Sequence, residues 1–182
     1  MKNNFFILTG GPGSGKTSLI KYLSDMGYNC ISEVGRKIMK EQIINGGNAL
    51  PWGDTKRYSE LMLIESIRNY IAFQNNEDIC FFDRGIPDVL GYVNLININQ
   101  DQKYLDAVKK YRYNPTVYIL PPWKEIYQND EERKQDFEEA VATYAVMKET
   151  YTYAGYLLIE VPCGTIEERT NYILSDIMDR RR

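Results

Sequence analysis

The sequence predicts an α/β fold in which helices cover both faces of a five-stranded parallel sheet, a three-layer α/β/α sandwich. Three observations favour this class. Five short apolar segments alternate along the chain with longer segments of helical periodicity, which is typical of parallel sheets. The 182 residues, 43% of them hydrophobic, suffice for one domain with a full core. No repeat or long linker divides residues 1–182, so a single domain is expected.

Each predicted strand is a short run rich in apolar residues, followed closely by glycine, proline or a polar residue. Runs of this length suit strands buried on both faces. The second run is the weakest of the five. In chain order the predicted strands are residues 5–8, 28–31, 79–82, 116–120 and 156–161.

Apolar residues spaced three or four apart predict seven helices. Ser32, Asp54 and Asp101 are the expected N-caps of three of them, and Gly27 and Gly155 are expected stops. The third helix is apolar on several faces, which predicts that it is largely buried. In chain order the helices, with their caps, are residues 15–26, 32–44, 54–73, 87–95, 101–111, 137–154 and 166–178.

Composition argues against several classes of function. The formal net charge of −3 gives no support to general nucleic-acid binding, and no apolar stretch approaches the length of a membrane-spanning helix. Cys30, Cys80 and Cys163 are far apart, which argues against a disulfide framework or zinc site and predicts three buried thiols. The sequence contains no histidine, so acid–base chemistry falls to carboxylates, lysine or tyrosine. A cytoplasmic protein without a signal peptide is expected.

Residues 10–17 read Gly-Gly-Pro-Gly-Ser-Gly-Lys-Thr and match the pattern of a phosphate-binding loop. Glycines let successive N–H groups turn inward, and the following helix adds the positive end of its dipole. Lys16 would place a positive charge near the outer phosphates, and Thr17 would offer its hydroxyl to Mg²⁺. The expected nucleotide-binding residues of this loop are Gly11, Pro12, Gly13, Ser14, Gly15, Lys16, Thr17 and Ser18.

Charged residues follow the second and third predicted strands, at the sheet edge where parallel sheets bind ligands. Asp83 could orient Mg²⁺ through water or accept a proton from a substrate hydroxyl, and a helix cap or a partner for Arg84 is the structural alternative. Arg84 could bind a phosphate or pair with a structural carboxylate, and the sequence favours neither role. Glu33 is a candidate for substrate binding or for the base, although an acid is also favourable in a first helical turn. Packing or capping is the expected role of three weaker candidates, Arg36, Asp88 and Tyr92.

Two further segments are expected near the phosphates. The polar stretch at about residues 122–135 is interpreted as a lid, in which Arg133 would stabilise the charge of the transferring phosphoryl group. An exposed charged loop is the alternative. The loop with Cys163, Gly164 and Thr165 could contact the nucleotide base, or it could be a strand-to-helix turn with Thr165 as N-cap.

Several of these motifs together resemble a small AAA-type P-loop ATPase family that includes the ribosylnicotinamide kinase domain of bacterial NAD regulators. The resemblance spans nearly the whole chain and is carried by residues 10–17, 32–36, 82–88, 129–133 and 160–162. It implies a P-loop NTPase fold of the nucleoside/nucleotide kinase type with sheet order 2-3-1-4-5. It also implies that Asp83 lies beside the acceptor and Mg²⁺, and that Arg133 is the lid arginine.

The sequence therefore predicts a protein that binds ATP, or alternatively GTP, with Mg²⁺ and transfers the γ-phosphoryl group to a small, nucleoside-like hydroxyl acceptor. An ATPase or GTPase that acts as a nucleotide-dependent switch, without such an acceptor, is the alternative. No nucleic-acid or membrane partner is expected. The metal site is expected at Thr17 and Asp83. The expected catalytic residues are Lys16, Glu33, Asp83, Arg84 and Arg133.

Overall fold

The computed structural model describes residues 1–98, 101–127 and 137–180. Its strands are β1 (Phe5–Gly10), β2 (Asn29–Ile31), β3 (Cys80–Asp83), β4 (Thr116–Leu120) and β5 (Leu157–Glu160). Its helices are α1 (Lys16–Asp25), α2 (Val34–Ile44), α3 (Thr55–Ala72), α4 (Ile86–Leu95), α5 (Gln102–Lys110), α6 (Phe137–Tyr153) and α7 (Ile166–Arg180), with one 3₁₀ turn at Lys124–Ile126. The five predicted strands and seven predicted helices are confirmed.

The five strands form one parallel sheet in the order β2-β3-β1-β4-β5, which confirms the predicted order. β1 lies at the centre, where Ile7 is beside Phe82 of β3 and Val117 of β4. Every residue of β1 is buried, because helices cover both faces of the sheet. The carboxyl end of this central strand continues directly into the glycine-rich loop, so the loop lies at the ligand-binding edge of the sheet.

Side chains that alternate along β1 supply two separate cores, one on each face of the sheet. Phe5 and Ile7 belong to a large cluster with α2 to α6 on one face. Phe6 and Leu8 belong to a smaller cluster with α1 and α7 on the other. The three-layer sandwich predicted from the sequence therefore follows from a strand that is apolar on both sides.

Helix starts were predicted with mixed success. Asp54 caps α3 as predicted, since its carboxylate accepts the backbone N–H of Arg57 at 2.9 Å. The prediction that Ser32 caps α2 is wrong, because Glu33 occupies the N-cap position. Asp101 stands at the N-cap of α5 but accepts no capping hydrogen bond, and its carboxylate pairs with Lys103 at 3.0 Å instead.

Two predictions about burial are also wrong in part. Helix α3 leaves Ile64 and Ile71 40% and 42% exposed, because only one face of it packs on the rest of the fold. Of the three thiols predicted to be buried, Cys80 is buried, Cys30 is half-buried and Cys163 is exposed. Burial raises the pKa of both Cys30 and Cys80 to about 11, so these two thiols stay protonated and unreactive at neutral pH. In the described ranges, we find no helix with the length and apolar character needed to cross a bilayer.

Candidate active site

The loop between β1 and α1 requires glycine for both its backbone conformation and its close packing. Gly10, Gly13 and Gly15 have φ angles of 135°, 69° and 84°, which side chains strongly disfavour. A Cβ on Gly10 would lie 2.3 Å from the carbonyl oxygen of Leu120 in β4. The loop is therefore held against the end of a neighbouring strand, and Gly15 ends it as the N-cap of α1.

Lys16 is the first residue of α1, and its side chain folds back onto the loop. Its Nζ donates to the carbonyl oxygens of Gly10 at 3.0 Å and Gly11 at 2.6 Å, and to the hydroxyl of Ser14 at 3.0 Å. The residue is only 6% exposed. Thr17 follows it in the first turn of α1 and is exposed to the cavity described next. The first turn of α1 thus carries the ammonium of Lys16 and the hydroxyl of Thr17, whose roles towards phosphate and Mg²⁺ remain predictions.

A cavity of about 510 Å³, here called the phosphate-loop cavity, opens on this loop. Its wall joins segments that are distant in sequence, because the ends of β1, β2, β4 and β5 meet at this edge. Besides residues 12–18, its lining includes Glu33, Arg36, Trp123, Ile126, Tyr127, Gly164, Thr165 and Arg169. The predicted candidates Gly164 and Thr165 therefore reach the loop, whereas Cys163 is exposed and does not line this cavity.

Thr165 also serves the structural role predicted as its alternative. Its hydroxyl accepts the N–H of Glu168 at 3.2 Å, and the carboxylate of Glu168 accepts the N–H of Thr165 at 2.8 Å. This reciprocal pair is a capping box at the start of α7. The cap fixes the direction in which α7 leaves the sheet and so places its first turns beside the phosphate loop.

Arg169 is a site candidate that the sequence analysis missed. It is 3% exposed, its Nη2 donates to the carbonyl oxygen of Ser14 at 3.0 Å, and its guanidinium carbon lies 5.8 Å from the ring centroid of Trp123. Its Nε is buried and has no hydrogen-bond partner within the described part of the chain. A signal was available in the sequence: Arg169 lies on the buried face of α7 with Ile173 and Ile177, where an apolar residue is expected.

The predicted lid is described only in its first part. Trp123, Ile126 and Tyr127 line the phosphate-loop cavity, and Ile126 ends the 3₁₀ turn. The segment therefore approaches the loop, as a lid would. Arg133 and the rest of the predicted lid, residues 128–135, lie outside the described residues.

A second cavity of about 340 Å³, here called the acceptor cavity, adjoins the first. Pro12 and Glu33 line both cavities. The lining of the acceptor cavity combines charged residues with apolar and aromatic ones. The charged group includes Asp83, Arg84 and Asp88, and the other group includes Trp52, Tyr58, Met62, Tyr92 and Met147. The two cavities therefore meet at Pro12 and Glu33.

Asp83, the last residue of β3, lines the acceptor cavity. It is 6% exposed, and its Oδ1 is buried without a hydrogen-bond partner among the residues that the structure describes. Burial and the nearby charge of Glu33 raise the pKa of Asp83 to about 6, although Lys16 and Arg84 act in the opposite direction. At neutral pH the carboxylate is mostly ionised and has one oxygen available to accept a proton or a cation's water ligand.

Arg84 holds two acids of the site together. Its Nε lies 3.2 Å from Glu33 Oε1, and its Nη1 lies 3.2 Å from Asp88 Oδ1. Arg36 approaches Glu33 from the other cavity, with 3.6 Å between Nε and Oε2. Arg84 also has a φ of 69°, which is uncommon for a residue other than glycine and indicates strained backbone beside the site. Of the two roles predicted for Arg84, the contacts show the one with a carboxylate.

Asp88 is fully occupied by protein donors. Its carboxylate accepts hydrogen bonds from the hydroxyls of Thr9 and Tyr151, from the N–H of Gly85, and from Arg84. These bonds connect α4 with β1 and α6. Asp88 therefore has the structural role that was predicted for it, at the N-terminus of α4.

Magnesium fits this site through few protein ligands. In the ranges that the structure describes, no three acidic or cysteine side chains are grouped closely enough to hold a metal by themselves. Mg²⁺ usually retains water and takes one or two protein oxygens together with substrate phosphates. The candidate oxygens are the exposed hydroxyl of Thr17, in the phosphate-loop cavity, and the carboxylate of Asp83, in the adjoining cavity.

Comparisons with known proteins agree with this arrangement. A family model described as an AAA domain matches residues 5–169. The structure of deoxyadenosine kinase from M. mycoides has a TM-score of 0.70 and 16% identity and covers 96% of this chain and 99% of that one. Thymidylate kinase from Candida albicans has a TM-score of 0.68 and 15% identity, with 99% and 93% covered.

A further similar structure is that of NadR protein in complex with NR, with a TM-score of 0.71, 16% identity, and 97% of this chain and 51% of that one covered. At such identities these likenesses show the fold, which is that of P-loop kinases. Among curated proteins, none matches this sequence significantly.

Proposed function

This chain belongs to the AAA domain family and has a P-loop kinase fold, and on that premise we propose that it is a Mg²⁺-dependent kinase that transfers the γ-phosphoryl group of ATP to a hydroxyl of a small, nucleoside-like acceptor. The observation that carries the proposal is the pair of adjoining cavities that share Pro12 and Glu33. A nucleotide-dependent switch needs only the phosphate-loop cavity. Phosphoryl transfer to a small molecule needs a second cavity beside it.

The phosphate-loop cavity is assigned to ATP. Backbone N–H groups of residues 11–16 and the ammonium of Lys16 would bind the phosphates, because both point charge and oriented dipoles favour an anion there. The base would lie towards Trp123, whose ring lines this cavity and can stack on it, while the buried Arg169 beside it supports the loop. Gly164 and Thr165 complete that end of the cavity.

The acceptor cavity is assigned to the hydroxyl compound. Asp83 would accept the proton of the reacting hydroxyl, since its Oδ1 has no hydrogen-bond partner among the described residues. Glu33 lies between Arg36 and Arg84, so we assign it to positioning those arginines rather than to proton transfer. Mg²⁺, held by Thr17 and, through a water ligand, by Asp83, would neutralise phosphate charge. Arg133 would add a further positive charge over the transferring group.

The decisive experiment is a transfer assay with ATP labelled in the γ position, Mg²⁺ and a panel of nucleosides, sugars and vitamins that carry hydroxyl groups. We expect labelled phosphate on one class of acceptor, and no transfer when Mg²⁺ is removed by chelation. Tight nucleotide binding with no labelled acceptor, together with hydrolysis stimulated by a protein partner, would contradict the kinase proposal and favour a switch.

Replacing Arg169 with alanine is expected to weaken ATP binding by about 10- to 100-fold, the effect of losing a charged hydrogen bond that orders the phosphate loop. The carbonyl of Ser14 would lose its 3.0 Å hydrogen bond, so the loop would be less ordered. Calorimetric titration with ATP and Mg²⁺ measures the effect. Arg180→Ala is the matched control, because Arg180 lies in the same helix, is exposed and contacts only Asp176 among the described pairs. Equal affinities of the two variants would remove Arg169 from the nucleotide site.

A further inference from the structure

We infer that Arg36, for which the sequence predicts packing or capping, binds the γ-phosphate of the nucleotide and stabilises the charge of the transferring phosphoryl group. The inference rests on the proposed function in one respect, the direction in which the triphosphate lies. Transfer requires the γ-phosphate to point towards the acceptor cavity, and the two cavities meet at Pro12 and Glu33. The γ-phosphate therefore belongs at this junction, with the base at the other end of its cavity, towards Trp123.

The charge of the phosphate-loop cavity suits a triphosphate. Among the described residues of its lining, three are bases and one is an acid: Lys16, Arg36, Arg169 and Glu33. Opposite charges attract more strongly in a partly enclosed cavity than in open water. The three bases come from α1, α2 and α7, so they reach different parts of the triphosphate.

Two of these bases are tied to the loop itself. Lys16 donates to carbonyl oxygens of the loop, and Nη2 of Arg169 donates to the carbonyl oxygen of Ser14 at 3.0 Å. Arg169 is 3% exposed and lies beside Trp123, so it supports the loop at the base end. Arg36 approaches from α2, and its side chain is 33% exposed. It is therefore the described base that lies nearest the junction of the cavities.

Glu33 holds Arg36 at this junction. Nε of Arg36 lies 3.6 Å from Glu33 Oε2, longer than a hydrogen bond, while Nε of Arg84 lies 3.2 Å from Glu33 Oε1. Glu33 thus keeps one arginine on each side of the junction. Arg84 also contacts Asp88 and is 15% exposed, so it is the more tightly held of the two. Because a guanidinium carries five N–H donors in a planar fork, Arg36 can keep Glu33 and still present two N–H groups to phosphate oxygens.

The role of Arg36 in the transfer step is electrostatic. The bond between the γ-phosphorus and the bridging oxygen of ADP breaks while a bond to the acceptor oxygen forms, and the acceptor's proton passes to Asp83. Arg36 forms no covalent bond and gives up no proton, since a guanidinium stays charged in proteins. Its charge lies beside the γ-phosphate oxygens, over which the negative charge of the transition state is spread.

The test compares the affinity for a non-hydrolysable ATP analogue with that for ADP, measured by calorimetry with Mg²⁺ and without any acceptor. Arg36→Gln should lower the preference for the triphosphate about 10- to 100-fold, the effect of losing hydrogen bonds between charged groups. Its affinity for ADP should change little. If this variant does not fold, Arg36→Lys keeps the charge beside Glu33 but not the planar fork, and should lower the preference at least about threefold. An unchanged preference in the folded variant would overturn the inference.

Lys37→Gln is the matched control. Lys37 is the next residue of α2, its side chain is 60% exposed, and it pairs with Glu41 and Glu65 on the surface. It removes the same charge outside both described cavity linings and should leave the preference unchanged. An equal fall in Lys37→Gln would mean a general effect of charge and would also overturn the inference.

This measurement separates the inference from the kinase proposal, because it needs no acceptor. If Arg36→Gln loses the preference for the triphosphate but no acceptor in the panel receives label, the assignment of Arg36 stands and the kinase proposal fails. If label is transferred and the preference is unchanged, the kinase proposal stands and the assignment of Arg36 fails.

Discussion

Replacing Lys16 with alanine is expected to lower the rate of phosphoryl transfer by about 10²- to 10³-fold, the effect of removing one pre-positioned positive charge from the reacting phosphates. The ammonium lies within the loop and donates to Gly10, Gly11 and Ser14, so it is close to the phosphates and would exchange these hydrogen bonds for phosphate oxygens when the nucleotide binds. A single-turnover measurement at saturating ATP and Mg²⁺ separates the chemical step from weaker binding.

The matched control for this substitution is Lys21→Ala. Lys21 lies in the same helix, its side chain is 74% exposed, and it pairs with Asp25 at 2.7 Å on the surface. Exposed pairs of this kind contribute about 0–1 kcal/mol to stability, so the control should retain the fold and the rate. If Lys16→Ala transfers phosphate as fast as Lys21→Ala does, the loop is not the site of the γ-phosphate.

Much of the nucleotide half of the site could be predicted because its determinants are local. An apolar run, a glycine-rich loop and an amphipathic helix follow each other within residues 5–26, and the structure places them as a strand, a tight loop and a helix. The rule that parallel strands end at one edge of the sheet also predicts that Glu33 and Asp83 lie close together. Both line the acceptor cavity, and the charge of Glu33 acts on Asp83.

The parts that escaped prediction depend on long-range contacts. Arg169 and Ser14 are 155 positions apart, and only the packing of α7 beside the loop brings them together. The pair of tyrosines in the acceptor-cavity lining also depends on long-range packing, since Tyr58 and Tyr92 come from different helices. A tyrosine at helical spacing predicts burial, but nothing in its own segment says which cavity it will line. Tertiary packing decides that.

Two of the predicted helix caps differ in the structure, because charged side chains compete with capping. Ser32 and Glu33 are both acceptable beside the first turn of α2, and the pull of Arg36 and Arg84 on the carboxylate favours an arrangement in which Glu33 is the N-cap. Similarly, the carboxylate of Asp101 is drawn to Lys103. N-cap preferences describe only how well a residue's own side chain can bond the first turn of the helix. Ion pairs with charged neighbours can outweigh that capping hydrogen bond.

Replacing Asp83 with asparagine is expected to lower the turnover rate by about 10²- to 10⁴-fold, because the amide keeps the shape of the side chain but cannot accept the acceptor's proton. The pH dependence identifies the cause. The pKa of Asp83 is raised to about 6 in the free protein, so kcat/KM of the wild-type protein, which reports groups of the free enzyme, should fall as the pH drops below that value. Asp83→Asn should lack this fall. A variant whose rate stays within about threefold of the wild type would exclude Asp83 as the base and leave Glu33 as the candidate, because a missing general base costs far more.

The same substitution should make the protein more stable at pH 7.5, which distinguishes a catalytic role from a structural one. The folded-state pKa of Asp83 is raised above the unfolded value of about 4, so the folded chain holds this proton more tightly. The resulting stabilisation is fully present below about pH 4 and is lost as the pH rises through about 6, where the buried carboxylate ionises. Asparagine cannot ionise, so the Asp83→Asn variant avoids that loss. Its melting temperature should exceed that of the wild-type protein at pH 7.5.

Asp88→Asn is the contrasting variant for this measurement. Asp88 accepts hydrogen bonds from Thr9, Gly85, Arg84 and Tyr151, and a neutral amide cannot accept all four. We expect a loss of stability of about 1.5–3 kcal/mol, typical of a buried hydrogen bond to a charged group, measured by urea denaturation at the same pH. A buried carboxylate kept for stability should behave as Asp88 does. If Asp83→Asn raises stability and Asp88→Asn lowers it, the buried carboxylate of Asp83 costs stability, as expected of a residue retained for catalysis. If both substitutions lower stability, this interpretation of Asp83 is contradicted.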